Sequence, residues 1–93
     1  MSREIVNVME ELASSIVTVM LMSPDYQTFC KCEKCRRDIL ALSLNTLPTH
    51  YVTTEGGRQQ AYEQLNTNDN RKWINKRIIS AIHVVGRYPK HNE

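Results

Sequence analysis

CKCEKCRRDILALSLNTLPTHYVTT, residues 30–54, changes character twice within a short span. It opens with three cysteines, Cys30, Cys32 and Cys35. It continues as a short helix over about residues 33–45, with Ile39, Leu40, Leu42 and Leu44 turned inward. At Leu47-Pro48 it becomes extended, because proline disfavours helical geometry in the residue before it. Tyr51, Val52, Thr53 and Thr54 are aromatic or β-branched, the types that suit a pleated backbone. The stretch is too isolated among helical segments to build a sheet, so it predicts an ordered, extended connector.

Upstream, Ser2 suits an N-cap and Glu4 the first turn of a helix. Ile5, Met9, Leu12, Ile16 and Met20 then recur at three- and four-residue spacing, beside a second row of Val6, Ala13 and Val17. So wide an apolar sector predicts burial on two sides, by the remaining helices or by a second subunit. Ser23-Pro24-Asp25 ends the helix. Downstream, Glu55-Gly56-Gly57 punctuates the connector, and a helix over about 58–65 turns Ala61, Tyr62 and Leu65 inward. Asn66-Thr67-Asn68-Asp69 breaks or bends it, with Asp69 a possible cap. A last helix, about 70–86, sets Ile74, Ile78, Ala81, Ile82 and Val85 on one face and Lys72, Lys76, Ser80, His83 and Arg87 on the other. Gly86 stands where a C-cap belongs, and Pro89 prevents continuation. The expected fold is all-α: a small four-helix domain, two helices long and two short, with an extended connector. It forms one unit over residues 1–93 and is expected to be a homodimer.

The chain has 93 residues, 41% of them hydrophobic, enough for one modest core that a metal or partner subunit would support. Six glycines and prolines together are too few for a disordered linker or a turn-rich β scaffold. No apolar run reaches the ~18–20 residues of a membrane span, and no signal-peptide layout opens the sequence, so a cytoplasmic location is expected. An odd cysteine count fits metal or redox use better than a secreted disulfide framework.

Cys30, Cys32 and Cys35 are close enough in sequence to share one Zn²⁺, which takes four ligands in a tetrahedron. His50, His83 or His91, a water, or a group from another subunit would complete the set. Free thiols, a Cys32-x-x-Cys35 redox pair and an iron–sulfur cluster, which normally takes four cysteines, are the competing readings. The second feature is charge. Residues 71–90 carry Arg71, Lys72, Lys76, Arg77, Arg87 and Lys90 with no acid, a face for phosphates, nucleic acid or an acidic partner, or simply a solvated surface. The third is polar punctuation around the second helix: Arg36, Arg37, Asp38, Asn45, Pro48, Tyr51 and, further on, Arg58. A carboxylate, guanidinium groups and an aromatic face together are the chemistry that reads a guanine. No nucleophile with a paired base, no HExxH and no phosphate-cradling glycine loop is present, so no catalysis is expected.

On the run of residues 30–54, with its cysteine-rich entry, Asp38-Ile39 through Leu44-Asn45, and Leu47-Pro48 followed by Tyr51-Val52, the chain resembles the late competence development protein ComFB family. An opening REIV helix and a final helix ending near VV-x-x-x-P agree in order. The resemblance implies a small all-α homodimer without catalysis, with zinc on cysteines in some members, acting as a receptor for cyclic dinucleotides, chiefly cyclic di-GMP. Carried over, Cys30, Cys32 and Cys35 fall on the cysteine motif. Asp38, Asn45, Leu47, Pro48, Tyr51 and Val52 fall on the core signature. Some relatives place a further cysteine just after the terminal proline, where this chain has Pro89-Lys90-His91, so His91 is the expected fourth ligand. The expected nucleotide site is Arg36, Arg37, Asp38, Asn45, Pro48, Tyr51 and Arg58, with signalling to a downstream protein expected in competence or motility. The alternative is a zinc-containing adaptor that binds nucleic acid or protein through the basic last helix.

Overall fold

Asn7 sets the geometry of the first helix and of the connector at once. Its side-chain Oδ1 accepts the backbone N–H of Met9 at 3.2 Å, capping the helix, and the N–H of His50 at 2.8 Å, gripping the chain 43 residues on. In the computed structural model, which describes residues 5–87, Val6–Asn7 (β1) pairs antiparallel with Tyr51–Val52 (β2), in the register Val6 to Val52 and Asn7 to Tyr51. The connector expected to stay unpaired therefore forms a two-stranded ladder. The extended tendency of Tyr51-Val52 finds its partner in residues that the helical pattern had claimed for the first helix. That helix, α1, runs Val8–Leu21 with Asn7 as its cap. The proposed cap Ser2 lies outside the described residues.

The other helices are α2 (Glu33–Leu44), α3 (Glu55–Leu65) and α4 (Asn68–Arg87), with a 3₁₀ turn at Pro24–Tyr26 before α2. Thr54 caps α3 by accepting the Gly57 N–H at 3.0 Å, so Gly56 and Gly57 lie inside the helix instead of punctuating its approach. Thr67, and not Asp69, caps α4 through the Asn70 N–H at 3.2 Å. Gly86 is no C-cap either: α4 passes through it, and no described glycine has a positive φ.

Both α1 and α4 pack on α2, and α3 packs on α1. Most of the wide apolar sector of α1 is consumed inside the chain: Val8, Met9, Leu12, Ala13, Ile16, Val17 and Leu21 are all buried, while Val6 and Met20 are half-buried and Ile5, ahead of the helix, is 65% exposed. The argument from that sector to a second subunit thus loses its premise, since the other helices cover it. Ile74, Ile78, Ala81, Ile82 and Val85 of α4 meet Cys35, Ile39 and Leu47 in the same core. Ser43 is buried too, its hydroxyl donating to the Ile39 carbonyl at 2.8 Å, so no polar group is orphaned there. The result is a small, mostly α-helical domain, and no helix among the described residues is long and apolar enough to cross a membrane.

Candidate functional site

The cysteines sit where the chain turns from α1 into α2. Ser23 caps the 3₁₀ turn by accepting the Asp25 N–H at 3.3 Å, and the turn delivers Tyr26 and Phe29 edge to face, 5.3 Å between centroids. Phe29 meets His83 of α4 at 5.5 Å, and its ring lies where a Cβ on Gly86 would stand. This aromatic contact holds the loop against the last helix. Cys30 follows; Cys32 is the N-cap of α2, its sulfur accepting the Cys35 N–H at 3.4 Å, and Cys35 is buried in the first turn.

The three sulfurs lie within 4.8 Å of one another. Thiolates bound about 2.3 Å from a tetrahedral metal ion stand roughly 3.8 Å apart, so the donor set fits such an ion with small movements. Among the described residues no histidine, aspartate or glutamate joins this group. His83 is engaged with Tyr26 and Phe29, and His91 lies outside the described residues. Burial, reinforced by the neighbouring Cys30 and Cys32 sulfurs, pushes the Cys35 thiol up to about 12. The Cys35 backbone N–H, helped by the Cys30 side chain, holds Cys32 below the usual thiol range. Metal binding at these sulfurs releases thiol protons, so it is favoured as pH rises.

Beside the cysteines, α1 and α2 enclose a basic groove. One cleft of about 340 Å³ is lined by Ser14, Val17 and Thr18 of α1 and by Glu33, Arg36, Arg37 and Leu40 of α2. A second, of about 270 Å³, is lined by Thr18, Leu21, Met22, Lys31 and Arg36. Thr18 and Arg36 belong to both, so Arg36 stands at their boundary, its Nη2 donating to Thr18 Oγ1 at 2.9 Å. Neither Lys31 nor Arg36 has an acidic partner among the described residues, and Arg37 has only an exposed contact to Glu33 at 3.9 Å. Helix spacing makes the α1 wall: Ser14 and Thr18 are four residues apart, a short polar step beside an apolar stripe.

The remaining residues expected at the site are dispersed. Asp38 is off the groove, held by Lys34 Nζ at 3.0 and 2.9 Å. Asn45 caps the far end of α2, about 13 Å along the axis from Arg36 at 1.5 Å per residue. Pro48 is exposed beyond it, and Tyr51 is exposed on β2. Arg58 belongs to another cluster, its Nε donating to Glu11 at 2.8 and 2.6 Å and its Nη1 to Glu55 at 3.1 and 2.9 Å. It lines a separate cleft of about 430 Å³ with Val6, Glu11, Val52, Thr53, Thr54 and Glu55. What the pattern of residue types missed is Ser14, Thr18 and the role of Lys31; an unpaired cation between two cysteines is the signal that points to the last.

A mostly helical domain with a three-cysteine clip at the entry to α2 and a cationic groove beside it defines the class. The chain belongs to the late competence development protein ComFB family, whose model matches residues 6–89. The structure of the late competence protein ComFB from Bacillus subtilis is similar in fold, with a TM-score of 0.78 at 24% identity over 96% of each chain. No curated protein sequence matches this chain.

Proposed function

We propose that the protein is a non-enzymatic cytoplasmic receptor for a cyclic dinucleotide, cyclic di-GMP first, with Zn²⁺ on Cys30, Cys32, Cys35 and His91. The observation that carries this reading is the α1–α2 groove, where Lys31, Arg36 and Arg37 converge on hydroxyls and apolar walls without a strong acidic partner. Two phosphates need cations, and two purines need apolar or aromatic surface. Arg36 between two clefts offers guanidinium contacts to both, and Val17, Leu40, Leu21 and Met22 offer the surface. Each cleft lies near the lower end of the ~300–1,000 Å³ typical of ligand sites, so the ligand would span both. Within the wider set, Tyr51 is free to stack, whereas Asp38 must leave Lys34 to meet a guanine edge and Arg58 must leave two carboxylates to meet a phosphate. Lys31 therefore replaces Arg58 as the cation for the second phosphate.

Homodimerisation belongs to the same reading: Val19 of α1, 67% exposed, and Met22 just past its end, 77% exposed, are apolar side chains left uncovered, and Met22 lines the groove. The bound state would then be passed to a downstream protein. Calorimetric titration with cyclic di-GMP tests the reading. Arg36→Ala should weaken binding more than Asp38→Ala or Arg58→Ala, with circular dichroism unchanged in all three. No heat of binding to the wild type at about 100 µM ligand, a Kd weaker than roughly 5.5 kcal/mol, would refute it. Tighter binding of short DNA than of cyclic di-GMP would favour the adaptor alternative through the exposed Lys72, Lys76, His83 and Arg87 stripe.

A further inference from the structure

Lys31 lies between two of the three cysteines, outside any helix or strand, and it lines the groove. Arg36 follows the third cysteine directly, and its backbone N–H donates to the Cys32 carbonyl at 2.9 Å. Two of the three groove cations are thus mounted on the clip. We propose that metal occupancy of Cys30, Cys32 and Cys35 sets the affinity of the α1–α2 groove for its phosphate ligand, by fixing Lys31 and the first turn of α2. The proposal rests on the receptor reading above and adds a control to the same site.

At the helix start the Cys32 sulfur accepts the Cys35 N–H over a long contact of 3.4 Å. Among the described residues no backbone hydrogen bond outside the regular elements involves Lys31. An ion on all three sulfurs closes residues 30–35 into rings, pinning both flanks of Lys31 and the turn that carries Arg36. A phosphate ligand then meets cations already in place and no longer bears the entropy of ordering them. One effect opposes this. Three thiolates around a divalent ion carry a net −1 where three thiols carry none, and that charge repels an anion. Cys32 is exposed and the groove is open to water, so the repulsion is screened, while the ordering gain is not. The ordering effect wins, and the coupling is positive. By linkage the ligand must tighten the metal by the same factor.

Cyclic di-GMP is titrated into the zinc-loaded and the zinc-stripped full chain, with circular dichroism of both. Zinc affinity is measured separately by chelator competition, with and without saturating cyclic di-GMP. The expected result is ligand binding about five- to tenfold tighter with zinc, and the same factor in zinc affinity. Lys31→Ala, which keeps all three thiols, should still bind zinc but lose most of that factor. Equal ligand affinity with and without zinc, or a full factor surviving in Lys31→Ala, overturns the coupling and leaves the receptor reading intact. Loss of the helical signal on stripping zinc makes the effect global unfolding and also overturns it. Absence of binding in both states overturns the receptor reading and this proposal with it.

Discussion

Arg36 and Arg58 are the same residue type with different employment, and their neighbours decide it. Arg58 is closed by two carboxylates, from α1 and from its own helix, and so ties α3 to α1. Arg36 meets only a hydroxyl, which leaves its charge for a ligand. Residue type put both arginines on the candidate list; only the fold separates them, because Glu11 lies 47 positions from Arg58 and no local pattern announces the pair. The pair has a pH signature. Hydrogen bonding from Arg58 holds the Glu11 carboxyl below its ordinary value of 4.5. A carboxylate whose pKa is lower folded than unfolded stabilises the fold above the unfolded value, and that contribution is lost as pH falls through the folded pKa. Glu11→Gln should therefore lower the urea midpoint slightly at pH 7, the scale of a partly exposed ion pair, and the deficit should close as pH falls below the ordinary carboxyl value of 4.5. A deficit that persists unchanged at pH 3 would mean that the glutamate acts through packing.

At the level of elements, the apolar rows of α1, α3 and α4 were largely legible, and so was the break at Ser23-Pro24. On α2 only Ile39 of the four residues expected inward is fully buried, with Cys35 and Ser43, and Leu40, Leu42 and Leu44 are half-buried against the core. The starts were not, because capping side chains and tertiary hydrogen bonds fix them: Asn7 begins α1 and holds β2, Thr54 begins α3 and Thr67 begins α4. Glycine misled most. Both Gly56 and Gly86 lie inside helices without positive φ, yet their surroundings differ in a way that substitution reads directly. A Cβ on Gly56 meets nothing within 4 Å, so Gly56→Ala should stabilise the protein by about 0.5–1 kcal/mol, the entropic penalty of glycine in a helix. At Gly86 a Cβ would come within 2.5 and 2.6 Å of the Phe29 ring, which Tyr26 and His83 flank edge-on. The overpacking cost of about 1–3 kcal/mol should exceed the helix gain of about 1 kcal/mol. Gly86→Ala should thus be neutral to destabilising, and should weaken metal binding because Phe29 precedes Cys30. Chemical denaturation with chelator competition on the two variants checks the contrast. Two stabilised proteins would show that the Phe29 ring yields freely.

For the whole molecule, the question is which apolar surface belongs to the fold and which to a partner. The sequence puts Leu12, Val17, Val19 and Met22 on one helix or at its end, and helical periodicity alone cannot say which of two coverings each receives. The structure sorts them: Leu12 and Val17 are buried, while Val19 and Met22 remain open. A change at Leu12 therefore acts on stability. Leu12→Ala should cost about 3–5 kcal/mol, a large share of the few kcal/mol to be expected of a domain this size. Met22→Lys removes only exposed apolar surface and should leave the urea midpoint of the isolated chain within about 0.5 kcal/mol. If the open end of α1 is where two copies meet, the same substitution buries a charge without a partner at that seam and should dissociate them. Light scattering at tens of micromolar protein is expected to give a dimer for the wild type and a monomer of unchanged helicity for Met22→Lys. A monomeric wild type would remove the homodimer from the reading. A dimer that survives Met22→Lys would move the seam to another surface, with the exposed Val84 of α4 next in line.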